Sequence, residues 1–346
     1  MSPCFKLAAS NYCEETMKVC IVGAGAIGGF LGTKIAAMGL AQVSAVARGE
    51  TLLSLKQHGW RLLQNGVVQH APVHASESPE SLGRQDVVII AVKGPALTHI
   101  AEIISPLLDD KTVVMPAMNG VPWWFGEGVE ALPQAPFKSL DPAGKIAAAI
   151  PLPHIIGCVV HASCSSPVRG LVAHKMGRGL VIGEPKGGKT ERVQNIAQML
   201  TAAGFDTTVS DNIRKDIWYK LWGNLTMNPV SAVTGATIDK ILNDPLARAF
   251  CSATMLEASA IGALIGCTIT ETPEDRHAVT AKLGAFKTSM LQDAEAGRMI
   301  ELDSVVAAVQ EIGQRLGIHT PNIDALLGLT RLFARTRGLY PKEVSA

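Results

Sequence analysis

Apolar positions in the first two hundred residues come in short unbroken runs separated by helix-spaced stretches. Residues 18–22 (KVCIV) form one such run, which stops at the glycine-rich GAGAIG of 23–28. Phe30, Leu31, Ile35 and Ala36 then recur as one face of a helix that ends near Gly39, and 43–47 form a second run. Residues 87–92 are continuously apolar, as a parallel strand buried on both faces should be. The pattern predicts further strands at 112–115, 180–183 and 205–209 and a helix over 191–203. It also predicts a hairpin over 60–70, with Asn65-Gly66 as a type I′ turn. The expected fold class is α/β, an N-terminal Rossmann-type doubly wound parallel sheet followed by an all-helical C-terminal domain.

That helical part begins where strand signals stop, at about Asn212. Residues 213–228 read as one helix with Trp218, Leu221, Trp222 and Leu225 on its apolar face. Lys220, Asn224 and Asn228, spaced four and four, form a separate stripe bordering that face, and Asp216, Tyr219, Gly223 and Thr226 a more polar one opposite. Pro229 is expected to kink or end the helix. Helices are also expected over 286–295 and 300–316. The domain division that follows is a disordered tail at 1–16, a nucleotide-binding domain at 17–211 and a helical domain at 212–346. Met17 is a candidate start.

With 346 residues, 47% hydrophobic and 18% charged, the chain has material for large cores and is not disordered. Its net charge of +1, without a basic block, argues against a nucleic-acid or anionic-membrane surface. No apolar run reaches the roughly 18–20 residues of a membrane span, and 1–16 lack the apolar core of a signal peptide. Seven cysteines, at 4, 13, 20, 158, 164, 251 and 267, show no CxxC spacing. Neither a disulfide framework nor a metal site is suggested, and a cytoplasmic location is expected. The sequence does not fix the oligomeric state; a homodimer is compatible with it, but no self-complementary signature marks one.

The chemistry starts at the strand–glycine turn–helix–strand unit, the context a GxGxxG match requires. Gly23 allows the tight turn, Gly25 lets backbone approach a pyrophosphate, and Gly28 lets helix and strand pack closely. With Ala24, Ala26 and Ile27 they form a dinucleotide cradle at a helix N-terminus, whose free N–H groups suit phosphates. An acid about 20 residues on would favour NAD; that position holds Arg48, which suits a 2′-phosphate, with Glu50 as the alternative acid. NADP(H) is therefore the expected cofactor. Lys93 and Asn119 follow strand ends, where open parallel sheets bind ligands, although ordinary loop polars read equally well there. Lys220, Asn224 and Asn228 read as residues lining a cleft, against the plain alternative of a surface lysine and two helix asparagines. Ser289 and Glu301 carry no signal from spacing alone.

GAGAIGG at 23–29, AR at 47–48, VK at 92–93, NG at 119–120, KLWGNLTMNP at 220–229 and SMLQD…GR…E at 289–301 together resemble the ketopantoate reductases (2-dehydropantoate 2-reductases), over most of 17–335. The resemblance implies NADPH-dependent reduction of 2-dehydropantoate to (R)-pantoate. It implies Lys220 as the proton donor, Asn224, Asn228 and Ser289 holding the substrate, and Lys93, Asn119 and Glu301 lining the cofactor side. Asn119 is expected to serve both the substrate and the cofactor. The alternatives are a paralogue reducing another 2-oxo acid and a non-catalytic NADP-sensing protein. The chain departs from the family pattern in the stretch 121–145, which contains Pro122-Trp123-Trp124-Phe125; Trp123, Trp124 and Phe125 are expected to wall the substrate cleft rather than fill the core. Desolvation beside two tryptophans is expected to lower the Lys220 pKa.

Overall fold

The structure, a computed structural model, describes residues 16–341. The tail expected at 1–16 lies, save for Thr16, outside the described residues. β1 (Met17–Val22) leads into α1 (Ala26–Ala37), β2 (Ala41–Val46) and α2 (Gly49–His58). The hairpin of β3 (Trp60–Gln64) and β4 (Val67–Ala71) follows, then β5 (His74–Ser76), β6 (Val87–Ile90), α3 (Gly94–Ile103), β7 (Val113–Pro116) and α4 (Lys145–Ala149). Asn65 and Gly66 both have positive φ, 51° and 79°, as the type I′ turn requires.

Five parallel strands in the order β5-β2-β1-β6-β7 make the first sheet. None of residues 19–22 and 87–90 is more than 1% exposed, so the continuous apolar runs are buried on both faces. The strand order reverses at β1, with β2 on one side and β6 on the other. Such a reversal opens a crevice at the carboxyl end of the strand, and Gly23 lies there.

Beyond this sheet the chain departs from a purely parallel arrangement. β8 (Gly157–Val168) and β9 (Leu171–Gly183) form a long antiparallel hairpin. The other edge of β9 pairs with β3 at Val172 and Ala173, and with β10 (Asp206–Val209) over 179–182; α5 (Glu191–Ala202) connects β9 to β10. The strand read at 180–183 is only the inner end of β9. The remainder is HASCSSPV and LVAHKMGRG, largely exposed or half-buried, so it carries no apolar run to announce it. The hairpin is fastened to the first sheet where Ile156 N donates to Val114 O at 3.0 Å.

After Asn212 the described residues contain no strand. α6 (Ile213–Thr234) is the axis of this half, packed by α8 (Pro245–Leu264), α10 (Ser289–Glu295), α12 (Pro321–Thr336) and β8. Two expectations for α6 are corrected. The helix neither ends nor breaks at Pro229 but runs on to a left-handed Gly235 cap, because burial on all sides outweighs one missing backbone hydrogen bond. The face holding Gly223 and Thr226 is buried rather than solvated. α7 (Ile238–Asn243) and α9 (Pro273–Ala281) pack around α8. The helix read from Phe286 starts at Ser289, capped by the Thr288 hydroxyl. The helix read over 300–316 opens instead with a π-helical turn, Asp303–Ala307, before α11 (Ala308–Arg315). One apolar cluster crosses both halves, joining Val114, Trp124 and Phe125 to Trp218, Val305 and Ile312.

Candidate active site

The β1–α1 turn is built as a dinucleotide cradle requires. Gly23 has φ +98°, and a Cβ there would stand 2.5 Å from Val92 Cγ1. A Cβ on Gly28 would lie 2.0 Å from the Gly23 carbonyl oxygen, so only glycine lets α1 close on the turn. Gly25 is different: it is exposed, caps α1 without any side-chain bond, and has nothing within 4 Å of an added Cβ. Its free backbone faces open space, which fits the approach of a pyrophosphate. Ala24, Ala26 and Ile27 are half-buried around it. Arg48 lies exposed just past β2. Glu50, the rival acid, stands 3.8 Å from Arg169 in an exposed pair.

A cavity of about 200 Å³ lies where the two halves meet. Asn119, Lys220, Asn224 and Glu301 all line it, together with Cys158 and Trp124. The Lys220 ammonium donates to Asn119 Oδ1 at 2.8 Å and to the Val160 carbonyl at 2.7 Å. Burial pulls its pKa down to about 8, against the opposing pull of Cys158 and Glu301. The direction matches expectation; Trp218 and Trp222 themselves lie outside the cavity lining and donate to Ala258 O and Met255 O of α8. Glu301 is pushed up, first by burial and then by Asp293, with Lys93 pulling it down. Lys93 ties the halves together, its ammonium 2.6 Å from Asp293 and donating to Met299 O at 3.1 Å.

Not every anticipated residue converges there. Asn228 is buried on α6 outside the cavity lining, and Ser289 is exposed at the first turn of α10. Trp123 and Trp124 line the cavity, as a wall should, whereas Phe125 does not and stacks on Trp218 at 5.9 Å between ring centres. All three are at most 4% exposed, so the segment is core as well as wall. Sequence reasoning missed two backbone anchors. One is the Val160 carbonyl that holds Lys220. The other is the Ser304 carbonyl, which accepts from Val121 N at 2.8 Å and sits so close to Gly120 that a Cβ would approach it to 2.4 Å. That clamp fixes the Asn119 loop. Backbone acceptors leave no mark in side-chain patterns.

No group of metal-ligating side chains occurs among the described residues, and no helix there is long and apolar enough to cross a membrane. The chain matches the family described as ketopantoate reductase PanE/ApbA over residues 19–187, and its C-terminal counterpart over 212–334. It is 43% identical to a 2-dehydropantoate 2-reductase of Mesorhizobium japonicum over 325 residues, 94% of this chain and 100% of that protein. A Ralstonia solanacearum MolK2 crystal structure assigned as a ketopantoate reductase superposes with TM-score 0.90 at 50% identity, covering 94% of this chain and all of that one. A PanE/ApbA family ketopantoate reductase from Ralstonia eutropha JMP134 gives TM-score 0.79 at 25% identity, covering 93% and 100%. With its glycine cradle, its buried lysine ammonium and these matches along nearly its whole length, the chain belongs to the ketopantoate reductase PanE/ApbA family.

Proposed function

We propose that this protein reduces 2-dehydropantoate to (R)-pantoate with NADPH, using Lys220 as the proton donor. The observation that carries the reading is the enclosed Lys220 ammonium. Two of its three hydrogens are engaged by Asn119 and Val160, which aims the lysine and leaves one N–H for a ligand. A pKa of about 8 keeps it mostly protonated at neutral pH yet ready to release a proton.

NADPH, when bound, supplies the hydride; Gly23, Gly25 and Gly28 would hold its pyrophosphate and Arg48 its 2′-phosphate. As the 2-oxo carbon accepts that hydride its oxygen becomes an alkoxide. Lys220 stabilises the growing negative charge and passes its proton to that oxygen, leaving a neutral amine that solvent reprotonates. Asn224 lies one turn along α6, where an amide can orient the substrate without adding charge. Asn228 and Ser289 belong to the proposed substrate contacts. Glu301 and Lys93 would face the cofactor side.

A second reading, reduction of a different 2-oxo acid, is favoured by one feature, the Trp123–Trp124 wall of the cavity. The test of both is NADPH oxidation across a panel of 2-oxo acids, with chiral analysis of the product. The first reading requires 2-dehydropantoate to give the highest kcat/KM; a bulkier 2-oxo acid in first place supports the second, and no oxidation of NADPH with any of them refutes both.

A further inference from the structure

α9 lays Arg276 across α6 at two residues that flank Lys220 and Asn224. The guanidinium stands 4.8 Å from the centre of the Tyr219 ring. A Cβ on Gly223 would lie 2.9 Å from Arg276 Nε and 3.0 Å from its Nη2, so the glycine is what lets the guanidinium down onto the helix. Residues three apart on a helix surface have Cβ positions about 5–6 Å apart. Arg276 therefore rests against a position adjoining that of Lys220.

This arginine lacks a counterion. Its Nε is buried with no hydrogen-bond partner, and no carboxylate among the described residues pairs with it. His161, next to the carbonyl that holds Lys220, is kept below its ordinary pKa by burial and then by Lys220 and Arg276, with Asp216 opposing. Asp216 itself is engaged by the Ser210 hydroxyl.

A 2-oxo acid places a carboxylate one bond from the carbon that is reduced. A donor on the keto oxygen and a cation on the carboxylate must therefore end close together: Lys220 lines the cavity, and Arg276 rests on α6 at Gly223, three residues along, beside the lining residues rather than among them. We propose that Arg276 recognises the carboxylate of the 2-oxo acid, its planar fork of N–H donors matching the two carboxylate oxygens. The proposal rests on the reductase reading above and assigns a specificity role: acids over their neutral analogues.

The test compares wild type, Arg276→Gln and Arg276→Lys on a 2-oxo acid and on its neutral carboxamide, at saturating NADPH. Arg276→Gln is expected to raise KM for the acid on the order of 30-fold, with kcat within about threefold, and to erase most of the preference for acid over amide. Arg276→Lys, which keeps the charge and loses the fork, should fall between. Equal losses on acid and amide, or an unchanged ratio, would mean that Arg276 only packs on Tyr219, and would overturn the proposal. Equilibrium titration of the 2-hydroxy acid gives a readout independent of turnover. Weaker binding to Arg276→Gln supports the assignment even if the wild type oxidises no NADPH, an outcome that sinks the reductase reading alone; equal binding to both proteins overturns it.

Discussion

Lys220 and Asn119 lie 101 positions apart in the chain, and the lysine ammonium reaches the asparagine amide oxygen at 2.8 Å. One residue comes from the central helix α6, the other from the loop behind β7, so the contact exists only when both halves are packed. It makes the proton donor a product of the whole fold rather than of a local motif.

Removing that ammonium should act on the transition state. Lys220→Ala is expected to lower kcat about 100-fold, on the order of 2.7 kcal/mol of barrier, with NADPH affinity nearly unchanged. In wild type, kcat for reduction should fall as pH rises through about 8, where Lys220 loses its proton. The variant should lack that limb. Stopped-flow rates and fluorescence titration of NADPH check both halves; near-normal kcat in the variant across pH 6–9 would remove Lys220 from the mechanism.

The same lowered pKa has a signature in stability. Between about 8 and the ordinary lysine value of 10.5, the unfolded chain binds a proton that the folded chain does not. Stability therefore rises with pH in that window through this group. Wild type should gain roughly 2 kcal/mol on Lys220→Met between pH 8 and 10. Paired urea titrations measure the difference, and a gap that stays constant with pH contradicts the burial of the ammonium.

Two glycines of the cradle should fail in different ways. Gly28→Ala forces a Cβ into the Gly23 carbonyl and is expected to lower Tm sharply along with cofactor binding. Gly25→Ala meets nothing in the protein and has an ordinary φ of −78°, so Tm should hold or rise slightly while NADPH affinity falls. Thermal melts with and without NADPH separate the two; a Gly25→Ala protein that binds NADPH normally argues against this turn as the phosphate site.

Arg48 sits where an acid would select NAD. Arg48→Asp is expected to move the NADPH/NADH ratio of kcat/KM toward NADH by at least about tenfold. A wild type that uses both cofactors equally shows instead that Arg48 is an idle surface charge.

The aromatic segment now divides by residue. Phe125 packs on Trp218 away from the cavity, so Phe125→Ala should cost about 3–5 kcal/mol of stability with little effect on KM. Trp123→Phe keeps most of the buried volume while reshaping the cavity wall, and should alter the ranking of 2-oxo acids more than Tm. Denaturant unfolding and substrate profiling distinguish these effects, and a profile untouched by Trp123→Phe would leave the segment as core alone.

The parallel sheet was legible because strands buried on both faces must be apolar throughout, as 87–90 are. The glycine turn was legible because steric demands at Gly23 and Gly28 admit one residue type. Lys220 and Asn224 stood out as polar residues at helix spacing beside a core face, and Glu301 was reached only through family resemblance. The outer hairpin β8–β9 was invisible, since its exposed half needs no apolar residues. The continuation of α6 through Pro229 went unread because tertiary burial, not local propensity, holds that turn. Arg276 gave no sign in sequence, for its significance comes from a glycine 53 positions earlier that makes room for it.

The π-helical turn at Asp303–Ala307 bears on how this family of shapes tolerates indels. Such a turn is a helix carrying one residue more than regular winding needs. Deleting that one residue would restore regular winding with both flanks in phase, whereas deleting a residue from the regular turns of α11 would swing everything on its N-terminal side by about 100° around the helix axis. Glu301 would leave the cavity, and the Ser304 carbonyl would release Val121 and with it the loop that presents Asn119. Length along α11 is therefore under tighter constraint than length within the wide turn: one residue lost from 303–307 is absorbed as regular winding, whereas one lost from 308–315 undoes both walls of the cavity together.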